Sequence, residues 1–326
     1  MSIVGRIAAA ALALAACVAP AQAQPALQPY PAKAVKIVCP FSAGGIADLY
    51  ARLVGARVSE AWGQPVLVEN RTGAGGTIGA DAVAKSAPDG YTLVMGSFGT
   101  HAVNVSLFSR MPYDPVRDFA PIALVLEAEG LLVVHPTVPA QSVLDLIAYG
   151  RAHPGKLTFA SAGMGTASHL AGELFKTMAR VDMTHVPYKG NVPAITDLLA
   201  GQTSLLFATM PTVLPHAKAG RLRAIATIGS TRSAAAPELP TVAETIPGFE
   251  VNNWIGLFAP AGTSADIVRK WNLEVNKIMQ GADIRQRLLT EGARFAPNTP
   301  EQFAEFVKSE IAKWAPVVKA SGARVD

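Results

Sequence analysis

Two glycine-rich turns limit what this chain can fold into. Pro40-Phe41-Ser42-Ala43-Gly44-Gly45-Ile46-Ala47-Asp48 and Ser161-Ala162-Gly163-Met164-Gly165-Thr166-Ala167-Ser168-His169 each join an apolar run of strand character to a helical one, more than a hundred residues apart. Glycine lets backbone approach a ligand closely, and the first four N–H groups of a helix have no partner within it and sit at the positive end of its dipole. Each turn therefore offers N–H donors to an anion. Two such turns carried by two lobes make a clamp for a carboxylate.

Around them, strand and helix signals alternate. Residues 35–41, 66–69 and 91–96 read as strands, with a helix over 46–62 that places Leu49, Leu53 and Trp62 on one side and another over 77–84 after Gly73-Ala74-Gly75-Gly76. Short apolar runs recur at 131–134, 157–160, 184–187, 204–208 and 224–228, separated by helical segments at 143–151, 168–178 and 193–200. The pattern is α/β. From residue 264 onward the chain turns mostly helical (264–279, 282–292, 300–320), with Leu273, Phe303, Phe306, Ile311 and Trp314 as core candidates. No long low-complexity linker interrupts it, so passages between lobes must be ordered strands. They are expected near 123–127 and 250–254, giving a first lobe of 30–125 plus 252–326 and an inserted second lobe of 126–251.

The first 23 residues place the protein outside the cytoplasm. A single positive residue, Arg6, an apolar stretch over 7–18 and the small-residue site Ala21-Gln22-Ala23 read as a secretory signal peptide, with Gln24 as the mature start. Leu14-Ala15-Ala16-Cys17 also fits the box before a lipid-modified cysteine, which would leave 18–31 as a tether. No later segment has the ~18 uninterrupted apolar residues of a spanning helix. Once residues 1–23 are removed, Cys39 is the remaining cysteine of the two; it lies in an apolar strand and reads as a buried small hydrophobe.

Composition and spacing weigh against other functions. With 326 residues, 50% hydrophobic and 16% charged, the chain has the balance of a folded globular protein. The formal charge of +4, or +3 without Arg6, is spread along the sequence without aromatic interleaving, which disfavours nucleic-acid binding. A nucleophile elbow needs glycine two residues before its serine, but Ser97 has Met95 there and Ser161 has Phe159. Gly73-Ala74-Gly75-Gly76-Thr77-Ile78 lacks the last glycine of a dinucleotide fingerprint, and the six histidines show no zinc spacing. A secreted hydrolase is thus the weakest reading, and no cofactor or metal is expected.

Several short motifs occur in a fixed order along the chain: Pro40-Phe41-Ser42-Ala43-Gly44-Gly45, Val68-Glu69-Asn70-Arg71 with Gly73-Ala74-Gly75-Gly76, Pro88-Asp89-Gly90-Tyr91-Thr92-Leu93, Pro112-Tyr113-Asp114-Pro115, Pro154-Gly155-Lys156-Leu157, His185-Val186-Pro187-Tyr188-Lys189-Gly190 and Pro240-Thr241-Val242-Ala243-Glu244. In that order they resemble the Bug-type solute receptors of tripartite tricarboxylate transporters, over essentially all of the mature chain. The resemblance implies a monomeric two-lobed periplasmic binding protein, type II-like, that closes on a small carboxylate and presents it to integral-membrane transporter subunits. A sensing receptor that feeds a signalling partner is the alternative.

What the resemblance implies for single residues can be set beside their chemistry. The two turns face each other across the cleft and hold a carboxylate partly through ordered water, which assigns Phe41, Ala43, Gly44 and Gly45 from the first and Ser161, Gly163, Gly165 and Thr166 from the second, with Ser168 as a cap or donor. Asp48 would repel a bound carboxylate directly, so it reads as a loop-orienting acceptor. Ser97 and Thr100 are donors from the third strand's end. His169 either contacts the ligand or serves the structure, and Tyr188, Lys189 and Gly190 end a second-lobe strand where Lys189 would neutralise a further carboxylate or stay solvated. Ala208 stands where relatives often carry an acid, which removes a partner for a ligand ammonium. Ile46 adds an apolar side chain to the first turn.

Overall fold

Sorting the strands by their hydrogen-bonded neighbours gives two sheets built on one plan. The computed structural model describes residues 30–321, 324 and 325; the expected signal peptide, its cleavage site and Cys17 lie outside the described residues. The first sheet has the order β11-β4-β10-β3-β1-β2 and the second β7-β6-β8-β5-β9. In the first, β1 (Val35–Cys39) runs parallel to β2 (Val66–Asn70) and β3 (Thr92–Ser97), while β10 (Asn253–Pro260) joins antiparallel to β3 and β4 (Phe119–Ala128), and β11 (Ala293–Arg294) closes the edge. In the second, β6 (Leu157–Ser161) lies parallel between β7 (Met183–Pro187) and β8 (Leu205–Thr209), and β5 (Gly130–Val134) runs antiparallel to β8 and β9 (Arg223–Thr227). Parallel strands in each sheet feed helices, and the antiparallel strands carry the chain between sheets.

The outward passage is short. β4 ends at Ala128 and β5 begins at Gly130, so Glu129 alone stands between the sheets, its N–H donating to the Gly292 carbonyl and its carbonyl accepting from Met210 N–H. The return runs from Ile228, whose carbonyl accepts from Val251 N–H, to β10 at Asn253. The outward passage is an ordered strand end, with β4 in the first sheet one residue beyond the expected 123–127, whereas the return spans residues 228–252 and carries a 3-10 turn over Val242–Glu244.

Helices cover the sheets. α1 (Ile46–Trp62) buries Ile46, Ala47, Tyr50, Ala51, Val54 and Val58, a stripe at 3.6-residue spacing, while Leu49 and Leu53 are half-buried at its margin. The core side of α1 is thus rotated from the expected one, because small Ala47 and Ala51 let it lie close to the sheet. α2 (Thr77–Ala84), α3 (Asn104–Leu107) and α4 (Val143–Ala152) follow, then α5 (Ala167–Ala179), α6 (Asn191–Leu199) and α7 (Met210–Lys218) on the second sheet. The tail forms α8 (Ala265–Met279), α9 (Ala282–Glu291) and α10 (Pro300–Ser321). Phe303 and Trp314 are core residues as expected, but Leu273 is 70% exposed: α8 buries Val268, Trp271, Asn272, Val275 and Met279, and Leu273 falls off that stripe. Cys39 is buried, and burial pushes its thiol up to about 12. No described helix is long and apolar enough to cross a membrane.

Candidate functional site

Parallel strands end where their helices begin, so the carboxyl edges of the two sheets bring helix N-termini together around a cavity. Its volume open to water centres is about 60 Å³, several times the ~10–15 Å³ that one water needs. From the first sheet, Phe41, Gly45, Ile46 and Ala47 line it at the β1–α1 turn, Ser97 and Gly99 after β3, and Ala128, Asn253 and Ile255 on β4 and β10. From the second come Ala162, Thr166, Ala167 and Ser168 at the β6–α5 turn, Gly130, Asn191, Phe207, Ala208 and Thr209, and Ile228 with Val251 from the return passage. None of these side chains is ionisable.

Donors come from backbone and hydroxyl groups. The caps of α1, α5, α6 and α7 are Gly45, Thr166, Gly190 and Thr209, and none caps its helix with a side-chain hydrogen bond. By contrast, Ser142 and Ser264 do cap α4 and α8, away from the cavity. Helix starts left open toward a common space suit an anion. Their donor supply differs, however. α6 carries Pro193 and α7 carries Pro211 in the first turn, each without an N–H, and Met210 N–H is taken by the Glu129 carbonyl at 2.8 Å. α1 and α5 hold no proline there, so the stronger anion pole lies where these two helices start.

The first turn is held from behind. Asp48, 2% exposed, accepts the Gly44 N–H at 2.9 Å, Arg52 Nε at 3.0–3.1 Å and Asn70 Nδ2 at 2.8 Å. Burial alone would raise its carboxyl; the hydrogen bonds from Arg52, Gly44 and Asn70 outweigh it and keep Asp48 below the ordinary range, ionised. Asp48 therefore orients the loop and does not line the cavity. Gly44 adopts the left-handed backbone (φ 79°) that its turn needs.

Wiring inside the second turn is denser. Gly163 N–H donates to Ser161 Oγ (3.1 Å), Ser161 Oγ bonds His185 Nε2 (2.6 Å), and Thr166 Oγ1 donates to the Gly163 carbonyl (2.7 Å). Ala162 N–H donates to Ser168 Oγ, and Gly165 N–H to His169 Nδ1 at 3.1 Å. His169 stacks on His185 with centroids 4.3 Å apart, and His185 stacks in turn on Phe159. Burial, with Lys176 nearby, pushes His169 down to about 4; burial, His169 and Lys176 push His185 down to about 3. Both rings are neutral at neutral pH, and Nδ1 of His169 serves as an acceptor.

Of the residues singled out from the sequence, Phe41, Gly45, Ser97, Thr166, Ser168 and Ala208 line the cavity. Ser161, Gly163, Gly165 and His169 lie one layer behind, inside the wiring just described. Ala43 and Gly44 are exposed at the outer side of the first turn. Thr100 is buried, its hydroxyl accepting Ser97 N–H at 2.9 Å and bonding His101 Nδ1 at 2.8 Å. Tyr188 donates its hydroxyl to Asp197 (2.7 Å) instead of facing the cavity. Lys189 is exposed and does not line the cavity; its carbonyl accepts the Ser42 N–H (3.2 Å), a bond between the first turn and the second sheet. Gly190, at φ 142°, lies so close to Ser42 that a Cβ there would overlap Ser42 Oγ. Asn191, Ile228, Val251, Asn253 and Ile255 went unnoticed in the sequence, because a helix start, the return passage and β10, far apart along the chain, carry them.

This architecture is shared by known proteins. Residues 50–323 match the model of the tripartite tricarboxylate transporter family receptor. Protein BugT of Bordetella pertussis is 39% identical over 298 residues, covering 91% of each chain. Among solved structures, Rpa4515 of R. palustris with adipate has a TM-score of 0.88 at 38% identity, covering 91% of this chain and 100% of that one. MatC of Rhodopseudomonas palustris with bound malate has a TM-score of 0.85 at 38% identity, covering 89% of this chain and 100% of that one. A two-lobed fold, a cavity at the junction of the lobes and a family match over most of its length agree: this chain belongs to the tripartite tricarboxylate transporter receptor family.

Proposed function

We propose that this protein captures a small carboxylate outside the cytoplasm, as a monomer released by a signal peptide at 1–23, and delivers it to the integral-membrane subunits of a tripartite tricarboxylate transporter. Its lobes are the part built on β1–β4, β10 and β11, and the inserted part built on β5–β9. The observation that carries the reading is the cavity between two sheets on which uncapped starts of α1 and α5 converge. Each hydrogen bond from such donors to a carboxylate oxygen contributes about 1.5–3 kcal/mol in a desolvated site. The relatives bound to adipate and malate support carboxylates as the ligand class.

Ligand-free protein, verified by native mass spectrometry, tested by thermal shift against mono-, di- and tricarboxylates, checks this. At a hundred times its dissociation constant a ligand adds about 2.7 kcal/mol, a midpoint rise of roughly 2 °C or more for a chain of this size. A melting curve that no carboxylate moves refutes the proposal.

A further inference from the structure

Resting on the binding-protein reading, we propose that Asn104 and Ser42 oppose closure of the unloaded cleft. Each presses a polar atom of the first lobe against a glycine of the second, where it loses water and gains no hydrogen bond. Asn104, the first residue of α3, is fully buried against the β6–α5 turn, and a Cβ on Gly165 would overlap its Oδ1. Its Nδ2 reaches back to the Gly75 carbonyl of its own lobe at 3.5 Å, whereas Oδ1 is shielded from water and has no partner. The facing turn has its own uses for its donors: Gly165 N–H goes to His169 Nδ1, Thr166 N–H to the Gly163 carbonyl and Gly163 N–H to Ser161 Oγ.

Ser42 repeats the arrangement at the first turn. Its N–H crosses the seam to the Lys189 carbonyl (3.2 Å), but its Oγ, set against Gly190, is buried without a partner. Gly165 and Gly190 have φ of 75° and 142°, so each admits the polar atom while offering it nothing to bond. Parting the lobes returns both atoms to water. Closing them strips that water away without replacement, on the order of a tenfold shift toward the open form for each group. A carboxylate held by both turns makes bonds that exist only in the closed form and outweighs the shift. Unloaded protein therefore stays open, and the closed shape reports occupancy to the membrane subunits. The same device weakens apparent affinity, because the binding-competent form is rare.

The first arm of the test needs no ligand. Small-angle scattering of ligand-free mature protein is expected to show smaller radii of gyration in Asn104→Ala and Ser42→Ala than in the parent. Titration calorimetry with adipate or malate, whichever the parent binds, should give each variant a dissociation constant about tenfold lower. Ser42→Ala removes one oxygen and keeps the backbone bond to Lys189, so it decides the matter if Asn104→Ala does not fold. A change confined to one folded variant assigns the effect to that residue and removes the other. Parent-like radii in both, or binding no tighter than the parent's, overturn the inference, as does a ligand-free parent already as compact as the saturated one. Refusal of every carboxylate by all three proteins overturns the carboxylate reading instead, and the ligand-free radii still decide this one.

Discussion

Gly44 and Gly45 are neighbours that serve different needs. Gly44 holds a left-handed backbone and gives its N–H to Asp48, whereas Gly45 has φ −74° and ψ 166°, extended backbone that any residue adopts, and it lines the cavity. Gly45→Val should therefore fold normally by circular dichroism yet lose carboxylate binding at least a hundredfold in calorimetry, since the added methyls occupy ligand space. Gly44→Ala should instead destabilise by about 1–2 kcal/mol, the cost of a left-handed alanine. Full affinity in folded Gly45→Val would remove the first turn from the site. The sequence made both glycines conspicuous, but not which was which, because that depends on dihedrals set by Asp48 and Arg52 behind the loop. Asp48 itself was legible, since a carboxylate in a helix's first turn has unpaired N–H groups within reach. Lys189, open in the sequence between a ligand contact and a solvated cation, is exposed, and its carbonyl bonds Ser42 N–H, a contact no sequence pattern announces.

Among the elements, the β6–α5 turn depends on two rings that must stay neutral. His169 and His185 are held at about 4 and about 3 in the folded protein, against about 6.5 when unfolded. The unfolded chain thus binds more protons below pH 6.5, so the stability these rings contribute is complete above pH 6.5 and lost as pH falls toward 4. Thermal melts from pH 7 to pH 4 should show a falling midpoint, and His169→Asn, which keeps an acceptor for Gly165 N–H without a titrating ring, should fall less steeply. A mutant curve parallel to the parent's would show that the pair does not govern the effect. Strand–turn–helix alternation was plain in the sequence because glycine turns punctuate it. β4 and β10 were read only as passages, since each is long and buried along most of its length, which erases alternation. α7 was missed because Pro211 and Pro215 look like breakers, although Pro211 sits in the first turn where its absent N–H costs nothing.

For the molecule as a whole, the turns of the two sheets meet through surfaces that leave no room for a side chain. A Cβ on Gly75, between β2 and α2, would overlap the carbonyl oxygen of Met164 in the turn after β6. Gly75→Ala should leave each lobe folded but keep the cleft from shutting, so small-angle scattering with saturating ligand should show no compaction where the parent compacts, and affinity should fall. Gly63→Ala is the control: its φ of 66° nearly matches the 61° of Gly75, but nothing lies within 4 Å of the added methyl, so it carries the backbone strain alone. Equal compaction in Gly75→Ala and Gly63→Ala would dismiss the contact as a stop. Two lobes were foreseeable from two distant turns of the same chemistry; how closely they meet was not, because apposed glycines become visible only in three dimensions. The uncharged cavity wall also has a kinetic reading. Dipoles and N–H groups act over a few ångströms and, once water is excluded, are little screened by ions. The dwell time of a bound ligand should then hold through large swings of external salt, an advantage for a receptor working where the cell does not set the ionic strength.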